Sequence, residues 1–399
     1  MAAFEANDDL IGEPIGRSLL AEPTPQQIKA TELNNKVNDA LFRLSLNALK
    51  DKGSSSAVVS PFSIAMALAT VNDGAQGNTS QEITDVAFGG VPKEEITKWF
   101  KEKLHDLNKY GDSPLAVASA IYLDQSIKLI ESYKSSVKGN FRSELESVDF
   151  AGAPKAQKEV INEYVKKNTG GHITDLFSDD DIHTRTRIVA VNALYMKAKF
   201  YDTFEKENTK DADFHNEDGS NKLVPTMNGT KKGRFLENDD FVFGTFEFVD
   251  PGFNFFVAVP KKDGLSDLKE SFVSANHSFA LSQSGSQGVP YLHVHLPKFN
   301  VEASYGLVEA LKGLGISDMF TAAADFTGIT DEKIHVDTVI HKAILELDED
   351  GVTAAAVTAV GIALLSMCLD RTERTLRADR PFLYGVTFSG TPIFVGQYY

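Results

Sequence analysis

The side chains able to make or break bonds in this chain are few and scattered. A single cysteine, Cys368, excludes an intramolecular disulfide and any zinc site built from several thiolates. His293 and His295 stand two apart, which places both rings on one face of a strand. No cysteine or carboxylate beside them in the sequence completes a ligand set, so no metal is assigned. His341 has the strand parity of Ala343, Leu345 and Leu347, which predicts a buried imidazole in need of a hydrogen-bond partner. The signatures G-x-S-x-G, G-x-x-x-x-G-K-[ST], H-E-x-x-H and G-x-G-x-x-G are all absent. Neither enzymatic activity nor a cofactor is assigned.

The most unusual stretch runs from Gly351 to Leu369, without charge or proline, between Asp348-Glu349-Asp350 and Asp370-Arg371. It admits three readings. Its length suits a membrane span, but Thr353, Thr358, Ser366 and two glycines interrupt it, and the core-like strands beyond (Pro381 to Tyr384, Ile393 to Val395) would be torn from their domain. A buried helix is favoured by the alanines and opposed by the β-branched Val352, Thr353, Val357, Thr358, Val360 and Ile362. The third reading is a loop able to become a strand, with the small Ala354, Ala355 and Ala356 sliding between two existing strands.

The elements that must carry this stretch form one α+β domain. Residues 1–26, with Pro14, Pro23 and Pro25, read as a flexible lead-in, and 27–399 as a single domain. Apolar residues from Leu33 to Ala48 recur at helical spacing, with Gly53 as a stop. Ser60-Pro61 caps a second helix, apolar on most sides. Helices are expected over 91–109, 127–143 and 154–167. Strands are expected over 117–124, 187–196, 241–248, 253–260, 290–299, 336–348, 381–388 and 392–397.

With 399 residues, 42% of them hydrophobic, the chain can bury a large core. Its formal net charge of −16 opposes nucleic acid and anionic lipid, and the densest basic stretch, Lys93 to Lys109, is diluted by Glu94, Glu95, Glu102 and Asp106. No nucleic-acid or membrane partner is expected. The first 26 residues show no basic segment and no long apolar run, which favours a cytosolic chain. The tripeptides beginning at Asn78, Asn228 and Asn276 have the glycosylation-acceptor pattern and point instead to an extracellular one.

From the first helix to Tyr399 the sequence resembles the serpin family. Glu349-Asp350-Gly351 with the alanine-rich stretch is similar to that family's hinge. Asn168 to Leu176 is similar to its T-x-G-x-I-x-D-L motif, and Ala378-Asp379-Arg380-Pro381-Phe382-Leu383 to its C-terminal signature. Val191 to Tyr195 and His341-Lys342-Ala343 fit as well.

The resemblance implies a large central sheet ringed by helices, smaller sheets, and an exposed reactive-centre loop at about 350–375. It also implies a suicide substrate whose cut loop enters the central sheet as a new strand with the protease still esterified to it. Counting from the hinge glycine places the reactive bond at Leu365-Ser366. Glu349, Gly351, Val352, Ala354, Ala355, Ala356 and Thr358 then form the hinge and inserting segment, in which Val352, Ala354, Ala356 and Thr358 are the buried set. Ser60, Ser63, Asn192 and His341 would form a polar cluster beneath the opening strands. Lys298 and Glu349 would pair at the entry point, and Cys368 would be an exposed thiol or a small apolar residue without a role.

Leu365 suits a chymotrypsin-like protease, whereas Leu364, one residue upstream, is what a papain-like protease of cathepsin type would read. A non-inhibitory relative acting as a binding or storage protein is the alternative of another class. The family's glycine and tryptophan are replaced here by Ala198 and Phe200. A monomer with no heparin cofactor is expected.

Overall fold

The computed structural model describes residues 23–109, 114–262, 264–352 and 373–399. Nine α-helices occur among them: α1 (Pro25–Lys50), α2 (Pro61–Gly74), α3 (Gly77–Phe88), α4 (Lys93–Leu107), α5 (Glu131–Ser136), α6 (Pro154–Asn168), α7 (Leu265–Val273), α8 (Phe279–Gly285) and α9 (Val308–Leu314). The strands of the first half are β1 (Ala57–Val59), β2 (Leu115–Asp124), β3 (Glu144–Val148), β4 (Ile188–Met196), β5 (Ala198–Lys199), β6 (Lys210–His215), β7 (Asn221–Glu237), β8 (Phe241–Glu247) and β9 (Phe253–Pro260). Those of the second half are β10 (Gln287–Pro297), β11 (Phe299–Gly306), β12 (Thr338–Asp348), β13 (Gly351–Val352), β14 (Glu373–Arg377), β15 (Phe382–Phe388) and β16 (Thr391–Tyr398).

Helix α1 starts inside the expected lead-in, because Thr24 and Gln27 form a reciprocal capping box ahead of Pro25. The helix expected over 127–143 is instead the short α5 followed by a π-type turn, Val137–Phe141, ended by Arg142 in the left-handed region. A further departure is that the predicted strand 290–299 is one strand that stops at Pro297 and a second, β11, that begins at Phe299. Strands β6 and β7 have mixed exposure rather than clean alternation, which hid them from a periodicity reading.

Two sheets result. One runs β1-β16-β15-β9-β8-β7-β10-β14, with β6 on β7. The other runs β3-β2-β4-β12, with β11 on the far side of β12 and the short β13 and β5 at its end. Within it β4 and β12 are parallel, from Thr338 opposite Val189 to Ile344 opposite Tyr195. Every residue of β4 is buried, and alternate side chains go to opposite cores. Ile188, Ala190, Leu194 and Met196 join the main core, to which α2 also contributes. Val189, Val191 and Ala193 join a second core with Ile161 and Val165 of α6 and with Ile173, Leu176, Phe177 and Ile182, which follow it. No described helix is long and apolar enough to cross a membrane.

Candidate functional site

The site lies along the junction of β4 and β12, and its upper end is built around residues 348–352. After β12, Asp348 accepts hydrogen bonds from the backbone N–H groups of Asp350 (2.9 Å) and Gly351 (3.2 Å), which folds the chain back on itself. Gly351 adopts φ +138°, and a Cβ there would stand 2.5 Å from the Ala198 carbonyl oxygen, so only glycine fits. Gly351 and Val352 then pair antiparallel with Asp348 and Leu347 on one side and with Lys199 and Ala198 on the other. A two-residue wedge is thus already seated between β12 and β5 at the upper end of the junction, and Val352 is fully buried.

The acidic turn is held from beneath. Glu349, nearly buried, accepts from Lys298 Nζ at 2.9 Å and from Thr209 Oγ1 at 2.8 Å, while its backbone carbonyl accepts from Phe204 N–H at 2.8 Å. Burial alone would raise its pKa, but the hydrogen bonds from Lys298 and Thr209 outweigh it and the carboxyl lies below its ordinary value. Lys206 stands 3.5 Å from Asp350. Phe200, where the family usually has tryptophan, donates its backbone N–H to the Asp350 carbonyl. Its ring stacks on Phe248 at 5.1 Å and meets Phe204 and Phe255 edge-on at 5.9 and 6.0 Å.

Lower down, the structure brings Ser60, Ser63, Asn192 and His341 together, all of them buried. His341 and Asn192 are register partners across the junction. Ser60 at the N-cap of α2 donates its N–H to His341 Nε2 at 2.9 Å and its hydroxyl to the Ile393 carbonyl at 2.6 Å, and it also accepts from Ser63 N–H. Ser60 is therefore both helix cap and cluster member. Asn192 Nδ2 donates to the Ser63 carbonyl. Three buried atoms of the cluster have no hydrogen-bond partner: Ser63 Oγ, Asn192 Oδ1 and His341 Nδ1. Burial pushes the His341 pKa down to about 3.

Ala354, Ala355, Ala356, Thr358, Leu365, Ser366 and Cys368 lie outside the described residues. Glu373 does come within 3.6 Å of His293, brought there by the parallel pairing of β10 with β14, although it is distant in sequence. Even so, no group of three or more potential metal ligands occurs among the described residues. Thr209 and Lys206 were missed, since nothing local marks residues about 140 positions away from the carboxylates they hold.

The profile described as Serpin (serine protease inhibitor) matches residues 35–399. The chain belongs to the serpin family. Leukocyte elastase inhibitor of Sus scrofa is 31% identical to this serpin, the match covering 85% of this chain and 91% of that one. The crystal structure of Serpin48, a highly specific serpin of the insect Tenebrio molitor, superposes with a TM-score of 0.80 at 25% identity, covering 93% of this serpin and 98% of Serpin48. Human thyroxine-binding globulin, solved in complex with thyroxine, shares the fold (TM-score 0.79, 23% identity, 92% and 98% covered).

The buried imidazole makes the serpin's stability depend on pH in a definite direction. His341 is neutral in the native state, whereas an unfolded histidine titrates near 6.5. Below pH 6.5 the unfolded chain therefore takes up a proton that the native one refuses. This contribution to stability is complete above pH 6.5 and is lost toward pH 3, at up to about 1.4 kcal/mol per unit. Urea midpoints between pH 7.5 and 5 should fall more steeply for the unmodified serpin than for His341→Gln; parallel slopes would remove His341 as the titrating group.

Proposed function

We propose that the protein is a suicide-substrate inhibitor of a chymotrypsin-like serine protease, cut at Leu365-Ser366. The observation that carries this reading is the wedge at Gly351-Val352, which sets the register for any strand that continues it. Antiparallel continuation puts residue 354 opposite Leu345 and Met196, 356 opposite Ala343 and Leu194, and 358 opposite His341 and Asn192. By strand parity Ala354, Ala356 and Thr358 take the face on which Val352 joins the main core. All are small and uncharged. Thr358, the one with a hydroxyl, arrives between the unpartnered His341 Nδ1 and Asn192 Oδ1, where it can accept from the first and donate to the second.

Thirteen residues from Val352 to Leu364 at about 3.3 Å each carry the cut end roughly 40 Å along the sheet, and the acylated protease with it. Deformation of the protease then separates its oxyanion donors and nucleophile from the ester, and deacylation stops. The leukocyte elastase inhibitors among the relatives support a serine protease as partner. Leu365 supports an apolar primary pocket.

Incubation with chymotrypsin should give an adduct that survives denaturing electrophoresis, and the released fragment should begin Ser366-Met367-Cys368. A stable adduct with another fragment start moves the reactive bond; an adduct with papain-like proteases alone favours the cathepsin reading from Leu364. Cleavage without any adduct favours a binding protein, the use of this fold seen in thyroxine-binding globulin. Leu365→Arg should lower the inhibition of chymotrypsin at least tenfold and create inhibition of trypsin, because the guanidinium fits only a pocket with an acidic base.

Val352→Arg would require an unpaired guanidinium in the buried wedge. The yield of adduct should fall at least tenfold while cleavage continues; an undiminished yield would refute insertion at this register. In Thr358→Val the inserted strand leaves His341 Nδ1 and Asn192 Oδ1 unsatisfied, a loss of about 1–3 kcal/mol. The cleaved form should therefore melt lower than cleaved unmodified protein, whereas the intact forms should melt alike.

A further inference from the structure

Three tripeptides have the pattern of an N-glycosylation acceptor, with a hydroxyl two residues after the asparagine: Asn78-Thr79-Ser80, Asn228-Gly229-Thr230 and Asn276-His277-Ser278. The sugar is transferred before the chain has folded, and the folded molecule tolerates it only where a bulky polar group stands in water. The fold therefore acts as a filter, and it treats the three asparagines differently.

Asn228 lies half-buried within β7, between β6 and β10. Both hydrogens of its amide are in use, because Nδ2 donates to the Asn208 and Thr226 carbonyls, each at 2.9 Å. Its Oδ1 accepts from His295 Nδ1. Glycosylation replaces one amide hydrogen, so one of the two carbonyls would lose its donor and the first sugar would take that neighbour's place. Asn78 is exposed in the first turn of α3, but its amide nitrogen is aimed back at the protein. It donates to Glu82 at 3.0 Å, and Glu82 in turn accepts from the N–H groups of Ser317 and Asp318 at 2.7 and 2.8 Å. Thr79, fully buried beside it, donates to Asp318. A sugar on Asn78 would be driven against the 317–318 segment.

Asn276 meets neither obstacle. Ser274, Ala275 and Asn276 are all exposed, in the turn between α7 and α8. Ala275, at φ +61°, turns the chain out of α7, and the N–H groups of Ser274, Ala275 and His277 bond back to the carbonyls of Glu270, Phe272 and Ser271. The next two residues are fixed as well: His277 Nε2 lies 3.1 Å from Asp240, and Ser278 caps α8 while donating to Asp39 at 2.7 Å. Among the described residues no hydrogen bond uses the Asn276 side chain itself. The turn is rigid and its amide is free.

We infer that Asn276 is the residue at which this serpin carries N-linked sugar when it is made in a compartment that holds an oligosaccharyl transferase. The donor is a lipid-linked oligosaccharide pyrophosphate. A bond forms between the Asn276 amide nitrogen and the first carbon of the sugar, the bond from that carbon to the pyrophosphate oxygen breaks, and the lipid pyrophosphate leaves with the bonding pair. The amide nitrogen gives up one proton. The assignment is independent of the inhibitory reading and of the reactive bond.

The test uses the full chain, secreted from insect cells behind a cleavable leader and purified as folded monomer. Release of the sugar by peptide N-glycosidase in heavy-oxygen water converts each occupied asparagine to a labelled aspartate, which peptide mass spectrometry locates. The label should fall on Asn276 alone, and release should move the protein by one glycan's step on a gel. Asn276→Gln should lose that whole step, and because it removes no hydrogen bond it should melt with the enzymatically deglycosylated protein. Ser278→Thr, which keeps the hydroxyl of both the acceptor pattern and the α8 cap, should retain the step. Label on Asn228 or Asn78 equal to or above that on Asn276 overturns the assignment, as does folded protein without sugar at any of the three.

Discussion

Between Thr338 and Ile344 strand β12 lies directly against β4, and any rearrangement that adds a strand to this sheet must first take apart that parallel ladder. Parallel pairing is slightly weaker per residue than antiparallel, but both faces here are covered, so opening the ladder also disturbs two cores at once. At its middle the main-core face carries Asn192 and His341, with Ser63 beneath, and each of the three retains a buried atom without a partner. An unmade buried hydrogen bond costs about 1–3 kcal/mol. The closed sheet is thus stable against opening and yet incomplete at its centre, a local physical basis for the metastability of the serpin fold.

The two ends of the junction are closed by different means. At the lower end Asp337 accepts from the backbone N–H groups of Arg187 and Ile188, at 2.7 and 3.0 Å, which joins the start of β12 to the start of β4 through one carboxylate. At the upper end the strands diverge, and Gly351-Val352 fills the gap while the Glu349 carboxylate is held by Lys298 and Thr209. The acidic turn anchors the base of the loop. If a strand enters as proposed, an asymmetric closure of this kind would give its entry a direction, from the turn downward.

Much of this could be read from residue order. The continuous apolar run of β4 marked a strand covered on both faces, the parity of His341 with Ala343 and Leu345 marked a buried ring, and Ser60-Pro61 marked a helix start. What could not be read was whatever depends on pairing at long range. Thr209 and Lys206 belong to the entry turn only because β5 leads the chain past it, and Glu373 reaches His293 only because β14 lies alongside β10. Helix 127–143 failed because the 3.6-residue pattern does not distinguish one helix from a short helix followed by a wider turn. The boundary between β10 and β11 was lost because Lys298, a single residue between two strands, interrupts neither pattern.

The chemistry of the loop follows from the two environments the sheet offers. On the main-core face a new strand meets Leu345, Ala343 and then His341 along β12, and Met196, Leu194 and Asn192 along β4. That face passes from apolar to polar at one level only, and under the proposed insertion the set Val352, Ala354, Ala356, Thr358 would change from hydrocarbon to hydroxyl at the same level. The opposite face of an inserted strand would meet the layer of Ile173, Leu176 and Phe177, and under the proposed insertion parity would send the small Ala355 toward it. A bulky side chain there would collide with that layer, and a charge on either face would be buried without a partner. Small, uncharged residues along this stretch are therefore what both faces of the closed sheet require of any strand that is to pass between β4 and β12.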